Sequence, residues 1–219
     1  MRVVHAPSHH ADARPRPTWS VAANRVIVAA VGVWLAGVVV VMASLWRYKL
    51  EPGAEAASPV TWPAESGLAR LPHLPTLVVI AHPRCPCTLA TLAELREIMS
   101  SWDRRAVAHV VFWTPSDVPA GAAWSVSAAW TAAASIPGVR TSADPGGAEA
   151  RRFGALTSGH VVLYDAEGRL RFSGGITSAR GHAGDNSARD LLLSLLGGAG
   201  GPPVSAPVFG CSLEDAKGR

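Results

Sequence analysis

Three cysteines, Cys85, Cys87 and Cys211, are the residues of this 219-residue chain best suited to chemistry. Two of them flank a proline in the run Ala81-His82-Pro83-Arg84-Cys85-Pro86-Cys87-Thr88, between a short apolar stretch and an amphipathic one. At a helix N-terminus, the dipole and the unpaired backbone N–H groups stabilise a thiolate and lower its pKa. Pro86 suits the first helical position, which puts Cys85 at the cap and Cys87 in the first turn. Arg84 adds positive charge nearby, and His82 adds it when protonated. The chemistry implied is that of a reactive dithiol; the plainer reading is two buried cysteines acting as small hydrophobes.

The Cys-x-Cys spacing restricts how these thiols can pair. In a regular helix, residues two apart point about 200° away from each other. A Cys85–Cys87 bond therefore needs a non-helical turn and closes a very small ring, so it should be strained and easily reduced. The other candidate partner is Cys211, in Val208-Phe209-Gly210-Cys211-Ser212. It could serve as a resolving cysteine, a staple for the tail or a free thiol, and the pairing stays open at this level.

The elements that must position these residues alternate between strands and helices. Thr76–Ala81 (TLVVIA) and Val107–Trp113 (VAHVVFW) read as strands buried on both faces. Between them Leu89, Leu92, Leu95 and Met99 recur at helical spacing, with Glu94, Arg96 and Glu97 expected outward. Ser125–Ile136 and Gly147–Leu156 read as further helices. His160–Asp165 and Arg169–Ser173 form a hairpin, and Asp185–Leu196 is a closing amphipathic helix. The order β-α-β-α-(β)-α-β-β-α predicts an α/β domain around a central mixed sheet. His109, inside the second strand, reads as a satisfied core histidine, whereas His82 and His160 fall at the edge of the cysteine turn.

Upstream, Val26 to Trp46 contains no charged residue. Such a stretch matches a bilayer core of ~30 Å, and Trp46, Arg47, Tyr48 and Lys49 close it as interfacial anchors do. It exceeds the ~7–15 residues of a signal-peptide core, which favours an uncleaved anchor. Arg2, Arg14, Arg16 and Arg25 precede the span, while Arg47 and Lys49 follow it. This bias predicts a cytoplasmic N-terminus and a domain facing the periplasm or exterior, anchored in the inner membrane by a single pass. The expected organisation is an N-terminal tail (1–25), a transmembrane helix (26–46), a linker (47–73), an α/β domain (74–197) and a Gly/Pro-rich tail with Cys211 (198–219).

Composition narrows the function classes. Hydrophobic residues make up 48% and charged residues 16%, which argues against a disordered chain. The formal charge of +4 is concentrated at the front. Residues 1–59 carry six basic against three acidic residues, and residues 60–219 carry fourteen against thirteen. A near-neutral domain disfavours nucleic acid as a partner.

The cysteine turn between TLVVIA and its helix, followed later by DPGGAEARRFGALTSGHVVLYDAEGRLRFSGG, resembles the thioredoxin superfamily in its membrane-anchored thiol–disulfide branch. The resemblance spans roughly residues 74–197. The combination of HPRCPC, TSGHVVLYD, GGITSARGH-GDN and FGCSL is also similar to a small group labelled RedB. The resemblance implies a thioredoxin-like mixed sheet flanked by helices, with catalytic Cys85 and Cys87, and exchange that can involve Cys211. It also implies a site lined by His82, Arg84, Pro86, Gly159, His160, Arg180 and His182. The sequence departs from the family in several places, and it lacks in TLVVIA the buried acid that thioredoxins often keep there. Its motif is Cys-x-Cys where thioredoxins have Cys-x-x-Cys, and Thr157-Ser158-Gly159-His160 stands where their cis-proline would be. The connection Gly174–Asn186 is about ten residues longer than in a plain thioredoxin; long polar loops of this kind are usually functional or mobile. Within it Arg180 and His182 could bind an anionic group or tune the thiolates, while Asp185 reads as the cap of the final helix.

The leading expectation is a membrane-anchored thiol–disulfide oxidoreductase without a cofactor, exchanging with protein thiols or disulfides or with a membrane electron donor. Two thiolates with His82, His160 or His182 would alternatively suit Cu(I), as a soft-metal binder or chaperone. Peroxide reduction through a Cys85 sulfenic acid and a non-catalytic module on the same scaffold are the remaining readings.

Overall fold

The computed structural model describes residues 21–102, 106–116 and 127–213. The chain divides into two compact units between Leu45 and Trp46. Helix α1 (Val21–Leu50) starts in the first and runs into the second; an 18-residue stretch of it has a mean hydropathy of 2.7, and none of its residues is buried. It is long and apolar enough to cross a membrane.

The second unit is built on a six-stranded mixed sheet of order β3-β2-β1-β4-β5-β6. The strands are β1 (Thr76–Ala81), β2 (Val107–Thr114), β3 (Val139–Pro145), β4 (His160–Tyr164), β5 (Leu170–Gly174) and β6 (Val204–Ala206). Strands β1, β2 and β3 run parallel, and β4 lies antiparallel to β1 on its other side. Strand β5 pairs antiparallel with β4, and β6 runs parallel to β5 at the edge. The β-branched residues of TLVVIA suit this central, fully buried place.

Each face of β1 feeds a different core. Leu77, Val79 and Ala81 pack with Leu92, Leu95 and Ile98 of α2 (Cys87–Ser101), Ala129 and Ala133 of α3 (Ala128–Ala134), and Leu192 and Leu196 of α5 (Ser187–Leu196). Val78 and Ile80 face the opposite way, toward Phe153, Tyr164 and Ala150 of α4 (Ala148–Arg152). Residues 51–75, tether-like in composition, lie along this second face. Trp62 sets its ring edge-on to Phe153 and Tyr164 at 5.2 and 5.3 Å, and the Tyr164 hydroxyl donates to the Pro59 carbonyl.

Several local expectations change. Glu94 is not outward but buried, and Leu89 is exposed. The Glu94 carboxylate accepts from the Gly184 N–H, the Asn186 side-chain amide and Arg189, so a polar connection is pinned to an otherwise apolar helix face. Asn186, not Asp185, caps α5, its side chain accepting from the Arg189 N–H at 2.7 Å. Helices α3 and α4 are shorter than their apolar patterns suggest. His109 makes the expected core bond, its Nε2 2.9 Å from the Ala69 carbonyl.

Candidate active site at the cysteine turn

Where β1 ends, a tight turn carries the first two cysteines. The Cys85 N–H donates to the His82 carbonyl and the Thr88 N–H to the Cys85 carbonyl, both at 3.1 Å. Helix α2 begins at Cys87 with Pro86 as its N-cap, one residue later than expected, so Cys85 stands just before the cap. Pro86 is harmless there because its missing N–H would have no helical partner. Ser158 holds the turn from outside. Its Oγ accepts from the His82 N–H at 2.9 Å and lies 3.1 Å from Thr88 Oγ1, which donates to the His82 carbonyl.

The third cysteine arrives on an extended segment after β6. The Ser158 N–H donates to the Cys211 carbonyl at 2.8 Å and the Leu213 N–H to the Leu156 carbonyl at 2.9 Å, around an antiparallel bridge between Thr157 and Ser212. Val208, Phe209 and Leu213 are buried, so this stretch is part of the domain's packing. Gly210 is required by the close approach, since a Cβ there would fall on the Ser158 carbonyl. The outcome is a Cys85 Sγ to Cys211 Sγ distance of 3.0 Å, with all three cysteines present as free thiols.

This convergence sets the electrostatics. The Cys211 thiol hydrogen-bonds Cys85, as does Cys87, and together they hold Cys85 far below the ordinary thiol range despite its burial. Cys211 moves the other way, kept protonated by its bonds to Cys85 and Cys87 and by burial. Cys87 is drawn down by Cys211 and by Arg180, but its bond to Cys85 and its burial outweigh them and push it up. His82 is lowered, chiefly by burial, and its ring lies 5.4 Å from that of Trp113. Arg84 and His82 were expected to stabilise the thiolate; neighbouring thiols contribute most of that stabilisation instead.

An open cleft of about 710 Å³ lies over the pair, lined by His82, Arg84, Cys85, Arg180 and Cys211 together with Tyr48, Gly53 and Thr157. Arg180 ties this surface together. Its guanidinium donates to the Gly210 carbonyl and to the Tyr48 carbonyl, and lies 4.9 Å over the Tyr48 ring. Its backbone N–H donates to the Lys49 carbonyl. Cys87 lies beside the pair but outside the cleft lining, and Pro86 is solvent-exposed at the helix start. Gly159 sits behind the turn at φ +94°, its N–H donating to the Ile80 carbonyl. His160 points away to a buried cluster, its Nε2 3.0 Å from Ser173 Oγ and 3.4 Å from Ser58 Oγ. His182 is exposed on the long connection and outside the cleft lining. Sequence reasoning missed Ser158 and Gly210; the one signal for them was their position beside already suspect residues.

A central β1 with parallel β2 on one side, the antiparallel β4–β5 hairpin on the other, and cysteines where β1 turns into α2 matches the expected architecture. The domain has a thioredoxin-like fold. No protein-family model and no curated protein matches this chain. Solved structures do share its fold. A hypothetical protein of Sinorhizobium meliloti is 21% identical with a TM-score of 0.54, covering 75% of this chain and 94% of its own. An uncharacterized conserved protein of Geobacillus kaustophilus is 14% identical with a TM-score of 0.52, covering 75% and 92%. More distantly, a secreted Mycobacterium tuberculosis disulfide oxidoreductase is 15% identical with a TM-score of 0.40, covering 59% and 84%. At these identities the likeness concerns the thioredoxin-like fold alone.

Proposed function

We propose that this protein is a membrane-anchored thiol–disulfide oxidoreductase whose redox pair is Cys85 and Cys211. The observation that carries the reading is the 3.0 Å approach of the two sulfurs beneath an open cleft. A disulfide of about 2.05 Å lies roughly 1 Å of movement away. The lowered pKa keeps Cys85 as a thiolate at neutral pH, the form that attacks a disulfide. In the reducing direction a client disulfide exchanges into a mixed disulfide with one sulfur of the pair, and the other sulfur resolves it. Cys87 donates its S–H toward Cys85 and so tunes the nucleophile.

Helix α1 supplies the anchor in this reading, and the arginines before it favour a cytoplasmic N-terminus with the domain in the periplasm or exterior. Its partners are then protein thiols and disulfides, or a membrane electron donor. The narrower RedB likeness belongs to the same reading.

The test is to titrate the detergent-solubilised chain against a glutathione redox buffer and map its disulfides by mass spectrometry. A Cys85–Cys211 bond that opens and closes reversibly is expected. Thiols that stay reduced throughout, or a bond that never opens, would overturn the proposal.

A further inference from the structure

The two sulfurs of the pair are not equally presented. Cys85 is 5% exposed and Cys87 8%, whereas Cys211 is partly exposed at the cleft. The segment that carries Cys211 is held by backbone bonds to Leu156 and Ser158 and by buried Val208, Phe209 and Leu213. Cys211 is thus a built-in outer sulfur rather than a group on a loose arm. Cys85 lies deeper, between the turn of His82 to Thr88 and the Cys211 segment.

From this geometry we infer that, when the oxidised protein meets a client dithiol, the client bonds to Cys211 and Cys85 is the leaving group. The inference rests on the Cys85–Cys211 redox pair proposed above and assigns the client-facing sulfur within it. A client thiolate attacks Cys211 Sγ, and the new client–Cys211 disulfide forms as the Cys85–Cys211 bond breaks. The bonding electron pair departs with Cys85, the better leaving group because Cys87 still donates to its thiolate while Cys211 is bonded to the client. The client's second thiolate then attacks its own bonded sulfur, closing the client disulfide and releasing Cys211. Of the two protons lost by the client thiols, one ends on Cys211 and the other goes to solvent. The client is oxidised by two electrons and the protein's pair is reduced by two. The partner class is a protein dithiol able to enter the cleft between Arg84 and Arg180.

The experiment uses the oxidised full chain in detergent, with its disulfide mapped before any addition. Reduced glutathione is added as a monothiol probe, the reaction is quenched in acid, and free thiols are alkylated for peptide mapping. The expected result is glutathione on Cys211, with Cys85 alkylated, exceeding any adduct on Cys85 by roughly tenfold. Repeating the reaction in Cys87→Ser removes shuffling through the third thiol but keeps a hydroxyl donor beside Cys85, so the adduct should still favour Cys211, by a different factor. A dominant adduct on Cys85, in either protein, overturns the assignment while leaving the redox pair intact. Absence of a Cys85–Cys211 bond in the starting protein overturns the redox pair itself, and this assignment with it.

Discussion

A thiolate can be stabilised by cations, by a helix terminus or by hydrogen-bond donors, and at Cys85 the neighbouring thiols contribute most. Removing a donor should therefore matter more than removing a charge. In Cys87→Ala the Cys85 pKa is expected to rise, read from the ultraviolet absorbance of the thiolate against pH, whereas Arg84→Ala should leave it close to the parent. Equal shifts in both variants would mean the cation is the stabiliser. Cys211→Ser keeps a hydroxyl donor but loses one sulfur of the pair. No internal disulfide can then form with Cys211, and turnover of a small disulfide substrate should fall by about tenfold or more, as measured in a steady-state thiol assay. The cysteines and their place beside a helix start were legible in the sequence because proline spacing and apolar periodicity are local. The source of the thiolate's stability was not, since its first donor lies 126 residues away.

At the level of elements, the site depends on two attachments that carry no apolar pattern. One is the Cys211 segment against residues 156–158. An alanine at position 210 would push into the Ser158 carbonyl, so Gly210→Ala should lift Cys211 away and sharply lower the yield of the Cys85–Cys211 bond in an oxidising buffer. A wild-type yield would show that the segment can shift without loss. The other is the connection after β5, which carries Arg180 into the cleft and is pinned by buried Glu94. Glu94→Ala strands the Gly184 N–H and takes the buried partner from Arg189, and should cost about 2–3 kcal/mol, measured by denaturant unfolding. Glu94→Gln keeps an acceptor and should cost less. The strands TLVVIA and VAHVVFW declared themselves through continuous apolar runs of β-branched residues. Strand β6 did not, because three residues flanked by prolines hold their shape only through the edge of β5. A carboxylate on an amphipathic helix gives no sign that a distant loop will meet it.

For the molecule as a whole, acid is the expected weakness of the fold. His160 is buried with its Nδ1 unpartnered among the described residues, and burial lowers its pKa to about 4. The unfolded chain takes up this proton near pH 6.5, so stability falls as pH drops from about 6.5 to about 4 and is unaffected above that window. The full loss is about 3 kcal/mol. Thermal melts of the solubilised chain should show a shallower acid slope in His160→Gln than in the parent, and parallel slopes would assign the effect to other groups. The distance in sequence between the cysteines has one more consequence. Cys85 and Cys87 leave the ribosome well before residues 204–213 exist, and until those residues dock Cys85 lacks the first of its donors. The nascent chain therefore carries a sulfur closer to an ordinary thiol, slow to form wrong bonds during synthesis. Its reactivity is switched on by the arrival of the segment that also covers it.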